Sequence, residues 1–357
     1  MKYIRKNPIT VLILAIPLAF LAELLHWGDV WIFVLSAVGV IPMARYIGES
    51  TEALAHFTGP KLGGLLNATL GNAAELIITI FAIREGLLDL VKASITGSIL
   101  GNILLVLGMS MVVGGIRNGV QSFNRQQATN NAVLLSLAVV ALVIPSLFSH
   151  YIGPEGSLKV EFLSLGVAGV MIVLYVLGLI FSYRLADNPL VAPLGELGRV
   201  AQHAWPLRTA IVVLALSTVG VAYLSELLVG SVEPVVSTLG ISEFFLGIIL
   251  IPLIGNVAEH LVAVQVAADN KMDLSVEISL ASSLQIALFV APVLVFVSLL
   301  MGNPLTLIFN RFELIALVAG VLIAAVVSAD GESNWLEGSE LLAVYIILGL
   351  AFYLLPV

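Results

Sequence analysis

Residues 71–77 read "GNAAELI" and residues 255–261 read "GNVAEHL"; four of seven letters coincide, a glutamate among them. Both phrases interrupt long apolar stretches. A charged side chain at the centre of a membrane-spanning helix costs roughly 2.5–3.5 kcal/mol on insertion scales, so it faces a cavity, a partner or an ion rather than lipid. Two such interruptions with one wording make Glu75 and Glu259 the leading candidates for function.

The surrounding composition sets the class. The chain has 357 residues, 60% hydrophobic and only 11% charged, with mean hydropathy +1.10. Soluble domains carry about 25% charged residues. Lipid, rather than a soluble core, must therefore take up this apolar surface, and an all-α polytopic membrane protein is expected. The formal net charge is −8 and no basic cluster occurs, which argues against nucleic acid as a partner. The absence of cysteine removes disulfides, thiolate metal sites and cysteine nucleophiles together. No H-E-x-x-H phrase appears either, so no enzyme and no resident cofactor is expected.

Apolar stretches long enough to span a bilayer fall near 8–25, 30–55, 62–83, 93–115, 131–149, 159–183, 208–229, 244–268, 276–301, 312–328 and 340–356. About eleven transmembrane helices are expected. Lys2, Arg5 and Lys6 hold the N-terminus in the cytoplasm, with the first apolar run read as an uncleaved span. The connections carrying Arg117, Arg125, Arg184, Arg199 and Arg208 then also lie inside, while Lys159 and Arg311 lie outside. A multi-pass protein, expected in the cell membrane, follows.

The two phrases are 184 residues apart, and the same offset extends beyond them. Leu62-Gly63 falls on Leu246-Gly247, Asp89 on Asp273, Ser98 on Ser282 and Glu49 on Glu233. The chain therefore divides into an unpaired N-terminal helix (1–29), a first five-helix repeat (30–184), a cytoplasmic linker (185–207) and a second five-helix repeat (208–357). An odd number of spans per copy forces the second to enter from the opposite side. Inverted repeats of this kind place a transporter's site near the midplane, where the copies meet. Symmetry then brings Glu75 towards Glu259.

Neighbouring residues extend the site. Asn72, Glu75 and Thr79 share one helix face, and Asn256, Glu259, His260 and Ala263 form the corresponding stripe. Gly71, Gly255 and Pro252 loosen the helix beside each stripe and free backbone carbonyls. Carboxylates, amide oxygens and carbonyls form a hard-oxygen set suited to calcium, and the lack of thiolates disfavours zinc or copper. Ser98, Asn102, Ser282 and Gln285 either line the path or act as interhelical hydrogen-bond glue. His260 is open between ligand, proton relay and partner of Glu259. Glu49 and Glu52 are candidates for a cytoplasmic gate, with a solvated rim as the alternative.

The long phrases "GNAAELIITIFAIREG", "SITGSILGNILLVLG" and "GNVAEHLVAVQVAADNKMDLSVEISLASSLQIALFVAP" resemble the two signature regions of calcium/proton exchangers, within the calcium/cation antiporter superfamily. Asn72 and Asn256, with no proline before either glutamate, favour the proton-coupled branch over sodium/calcium exchangers. The resemblance implies that Glu75 and Glu259 bind calcium and protons, assisted by Asn72 and Asn256. It also implies that Ser98, Asn102, Ser282, Gln285 and His260 line the route. Many members carry an acidic helix between the halves; here that segment offers only Asp187 and Glu196. The expected function is alternating-access exchange of cytoplasmic Ca2+ for external H+, with the bilayer as its environment. The alternatives are sodium-coupled exchange of calcium or another divalent cation, and a passive cation channel, for which no glycine-rich filter loop is present.

Overall fold

The computed structural model describes residues 8–184 and 205–355. Lys2, Arg5 and Lys6, and the part of the linker holding Asp187, Glu196 and Arg199, lie outside the described residues. A 3-10 turn (Pro8–Leu14) leads into α1 (Ala15–Leu24). Then follow α2 (Asp29–Leu70), α3 (Ala73–Arg84), α4 (Leu88–Leu100), a π-helical turn (Gly101–Val106) and α5 (Leu107–Asn118). α6 (Arg125–Ile152) and α7 (Leu158–Arg184) complete the first part. The second part begins with α8 (Leu207–Gly230), the short α9 (Val232–Leu239) and α10 (Glu243–Phe245). A π-helical turn (Leu246–Leu250) joins α10 to α11 (Ile251–Ala268). α12 (Met272–Gln285), another π turn (Ile286–Val290) and α13 (Ala291–Met301) form one long rod. α14 (Arg311–Val327) and α15 (Trp335–Tyr353) end the chain.

Among the described residues, eight helices are long and apolar enough to cross a membrane. Their outward faces carry Val133, Phe162, Leu216, Leu300, Ile315 and Val326, all exposed. So much exposed apolar surface is tolerable only in lipid. Local sequence places the helix starts where the outer helices begin. Asn310 and Asn334 each form a capping box, with Glu313 and Glu337 at the third helical position returning the bond to the cap amide.

Two expectations about helix boundaries change. The spans near 30–55 and 62–83 meet within α2 instead of being separated by a loop. Eight residues of straight helix cover about 12 Å, yet a Cβ on Gly63 would lie 2.7 Å from the Ala55 Cβ. α2 therefore bends back on itself between Ala55 and Gly63. The span expected over 62–83 is in turn broken at Gly71-Asn72. Asn72 (φ −96°, ψ 20°) is the N-cap of α3, so Glu75 sits in a first turn rather than past a helix centre. The second copy has no such break. α11 runs unbroken through Gly255 and Asn256, and Pro252 lies just after the π-helical turn Leu246–Leu250 of the same continuous helix.

Polar contacts sort to two ends of the bundle. At one, Lys92 Nζ meets Asp89 (2.7 Å) and Glu155 (2.9 Å), and Thr306 Oγ1 donates to Glu155 (2.7 Å). At the other, the Asn124 amide donates to Asp273 (2.5 Å) and Gln121 Nε2 to Asn270 Oδ1 (2.9 Å). Here β1 (Gln121–Ser122) pairs antiparallel with β2 (Glu332–Ser333). Asp89 and Asp273, equivalent under the 184-residue offset, thus lie at opposite ends. Close approach of helix axes carries the packing between. A Cβ on Gly97 would fall 2.0 Å from the Ile248 carbonyl oxygen, and one on Gly247 2.8 Å from the Ala93 Cβ.

Candidate functional site

Glu75 is 1% exposed. Its Oε1 accepts a short hydrogen bond from Ser98 Oγ, and its Oε2 accepts one from Asn256 Nδ2 at 3.4 Å. Asn256 Nδ2 also reaches Ser98 Oγ at 3.4 Å. Gly255 on α11 sits against the glutamate: a Cβ there would lie 3.7 Å from the Glu75 Cβ.

The second acid repeats this geometry. Glu259 Oε2 accepts from Ser282 Oγ at 2.8 Å, and Asn102 Nδ2 donates to Ser282 Oγ at 3.1 Å. Its other oxygen, Oε1, faces Gly71, 3.3 Å from where a Cβ would stand. In both halves the serine donor lies 23 residues beyond its glutamate. Each acid is also backed by the glycine that opens the other copy's phrase. The two halves interlock through this reciprocity, with an amide of each supporting the acid–serine pair of the other.

The supporting shell is not symmetric. Asn72 Nδ2 donates to Gln285 Oε1 at 2.8 Å rather than to Glu259, while its own Oδ1 is buried with no hydrogen-bond partner. Gln285 stands where the first copy has Gly101, so only one half offers that side-chain oxygen. His260 is 5% exposed and its Nδ1 has no hydrogen-bond partner. Thr79 turns away, bonding the Glu75 carbonyl oxygen of its own helix at 2.8 Å. Two of the three π turns among the described residues lie directly beside the cluster: Asn102 is in the first and Gln285 caps the third, the widened turns re-aiming these side chains.

Neither Glu75 nor Glu259 has a basic partner within ion-pair distance among the described residues. No group of three or more acidic, histidine or cysteine side chains placed to hold a metal ion occurs among them either. The cluster is thus two carboxylates surrounded by serine, asparagine and glutamine. Such a set suits a hard cation or protons. Its low ligand charge suits an ion that must leave again.

Glu49 and Glu52 lie apart from this cluster. Glu49 Oε1 is held by Arg45 Nε at 2.7 Å, an i,i+4 pair, and Glu52 is partly buried on the following turn of α2. Sequence reading passed over Glu277, 8% exposed on α12, and Glu313, 2% exposed at the start of α14. Glu277 could have been found, because it also stands at the head of an apolar run, four residues after Asp273.

With this geometry in view, comparison with known proteins decides the family. The model of the sodium/calcium exchanger protein family matches residues 28–184 and 209–354. The chain belongs to the sodium/calcium exchanger protein family. This exchanger-family chain is 46% identical over 360 residues to the Ca2+/H+ antiporter of Aphanothece halophytica, covering 97% of the chain and 96% of that relative. It superposes on the structure of native YfkE with TM-score 0.85 at 42% identity, over 97% of this chain and 100% of that one. The crystal structure of the H+/Ca2+ exchanger CAX matches with TM-score 0.74 at 15% identity, covering 98% and 92% of the two chains. That likeness speaks for the fold. The two matched segments leave residues 185–208 between them.

Proposed function

We propose that this protein is a secondary active antiporter that exchanges Ca2+ for H+ by alternating access, with Glu75 and Glu259 as the shared binding acids. One observation carries the reading. Two intramembrane carboxylates are held side-on by serine and asparagine donors, with no arginine or lysine among the described residues in ion-pair contact to balance them. A buried charge without a partner is costly. Each carboxylate therefore takes either a proton or a share of a cation, and the empty ionised pair is the disfavoured state. That exclusion couples the two fluxes and suppresses leakage. The full-length likeness to the A. halophytica Ca2+/H+ antiporter supports the choice of ions.

Asn72 and Asn256 contribute amide oxygens to the cation. Ser98, Asn102, Ser282 and Gln285 line the route and hold the carboxylates in position. Asn72 Oδ1 and His260 Nδ1, both buried and unpartnered, are open to the transported ion or its proton. About eleven spans, arranged as one helix and two inverted five-helix repeats, give the alternating geometry. The opposite placement of Asp89 and Asp273 supports the inversion. The N-terminus and the Asp273 end then face the cytoplasm, the protein lies in the cell membrane, and Glu52 and Glu49 guard the inner mouth.

The test is calcium uptake into proteoliposomes under an imposed pH gradient. Uptake that follows the pH gradient and acidifies or alkalinises the lumen in step is expected. Uptake indifferent to pH but driven by a sodium gradient would establish the sodium-coupled reading instead.

A further inference from the structure

The Asp89 and Asp273 ends are equivalent under the repeat, yet their charges are resolved differently. At the Asp89 end the protein supplies its own cation: Lys92, 7% exposed, bridges Asp89 and Glu155. At the Asp273 end the position equivalent to Lys92 is Val276, and the next residue is Glu277 where the first copy has Ala93. The lysine has given way to valine, and a second carboxylate stands one position further on. Asp273 and Glu277 are i,i+4 neighbours on α12, an arrangement in which like charges repel. Neither has an ion pair among the described residues, although Arg125 and Lys271 stand exposed nearby.

These side chains line a small cleft between α12 and the first turns of α6, together with Gln127 and Asn131. Asp273 Oδ1 is occupied by the Asn124 amide at 2.5 Å, which leaves its second oxygen for the cleft. The Asn131 side chain is 8% exposed and makes no hydrogen bond, and the Gln127 side-chain amide is turned towards the Glu277 carboxylate. Buried amides are normally satisfied, so the unpaired Asn131 side chain leaves its carbonyl oxygen for an ion or a water. Two carboxylates and two amides in one water-sized cleft match the oxygen ligation of a hard divalent ion. The cleft is on the outer side of α12. Residues 277 and 282 are about 140° apart around a helix, so it is separate from the Ser282–Glu259 pair.

We propose that the seam between α6 and α12 holds a second divalent-cation site, formed by Asp273, Glu277, Asn131 and Gln127, that takes calcium or magnesium from the aqueous side. A bound ion would replace, at this end, the ammonium that ties Asp89 to Glu155 at the other, and would tie α12 to α6. The site stands whether or not the central pair exchanges protons, so it is tested with that pair removed.

Purified full-length Glu75→Gln/Glu259→Gln protein is equilibrated with radioactive calcium, then with magnesium as competitor. Saturable retention of about one calcium per chain is expected. Adding Glu277→Gln, or separately Asn131→Ala, should weaken it by about tenfold or more. A double variant that binds no calcium saturably overturns the proposal. So does binding unchanged by both further substitutions, which would make the cleft a purely structural polar contact. If the multiple variants fail to elute as folded protein, the wild type should bind about one more calcium than the single Glu277→Gln protein. Equal numbers overturn the proposal.

Discussion

Replacing Glu75 with glutamine changes one atom and keeps the side-chain volume, so its consequences isolate the charge. In the structure Glu75 receives donors on both oxygens, from Ser98 and from Asn256. Glutamine can accept only one of them and turns its own amide hydrogens towards the other. This mismatch leaves a buried donor unpaired, at about 1–3 kcal/mol. Against that, an unbalanced buried negative charge disappears. The two effects are of similar size and opposite sign, so the melting temperature in calcium-free buffer should move little. Ion binding behaves differently. One unit charge acting on another at about 4 Å with an effective dielectric near 20 is worth about 4 kcal/mol, and a divalent ion feels more. Calcium affinity should therefore fall by about three decades. Calcium at about 100 times the wild-type Kd should stabilise the wild type by about 2.7 kcal/mol and the variant hardly at all. Thermal melts with and without calcium, beside proteoliposome uptake under a pH gradient, read both quantities. A Glu75→Gln protein that elutes normally, is stabilised by calcium like the wild type and transports at the wild-type rate would refute the assignment.

The reciprocal glycines make a paired prediction. Gly71→Ala drives a methyl to 2.6 Å from the Asn67 carbonyl oxygen and 3.3 Å from Glu259 Oε1, so calcium uptake should drop sharply in proteoliposomes. Gly255→Ala meets only ordinary contact with Glu75 at 3.7 Å and should keep most of it. Asn310→Ala removes the side-chain cap of α14 and the capping box with Glu313, and neither residue makes a hydrogen bond to Glu75 or Glu259. Stability should fall by about 1 kcal/mol, seen as a lower melting temperature, with the calcium dependence of uptake unchanged.

Much of the site was readable in the chain because its signals are chemical and local. Glutamate in an apolar span is conspicuous whatever the fold, and a repeated glycine-asparagine-glutamate phrase carries its own alignment. Ser98 and Ser282 followed from the same offset. The helix break at Gly71-Asn72 was not readable, since the identical Gly255-Asn256 pair continues as helix. Backbone conformation there depends on neighbours, and Gly71 lies against Glu259 whereas Gly255 lies against Glu75. Nor could Asn72 be matched to Gln285. A hydrogen bond between residues 213 apart depends on the helix break at Asn72 and on the π turn that follows Gln285. Glu277 escaped notice because its significance comes from a missing partner, and partners belong to tertiary structure.

By itself, the sequence indicated the membrane class and singled out the repeated phrase with its two acids as the candidate site. Each of these is decided by transfer free energy or by residue type, which a linear chain already contains. Tertiary structure decided which donors each carboxylate receives, where α2 folds back, and which end supplies its own cation. These depend on distances across helix interfaces, where a single methyl group or one turn of helix changes the partner.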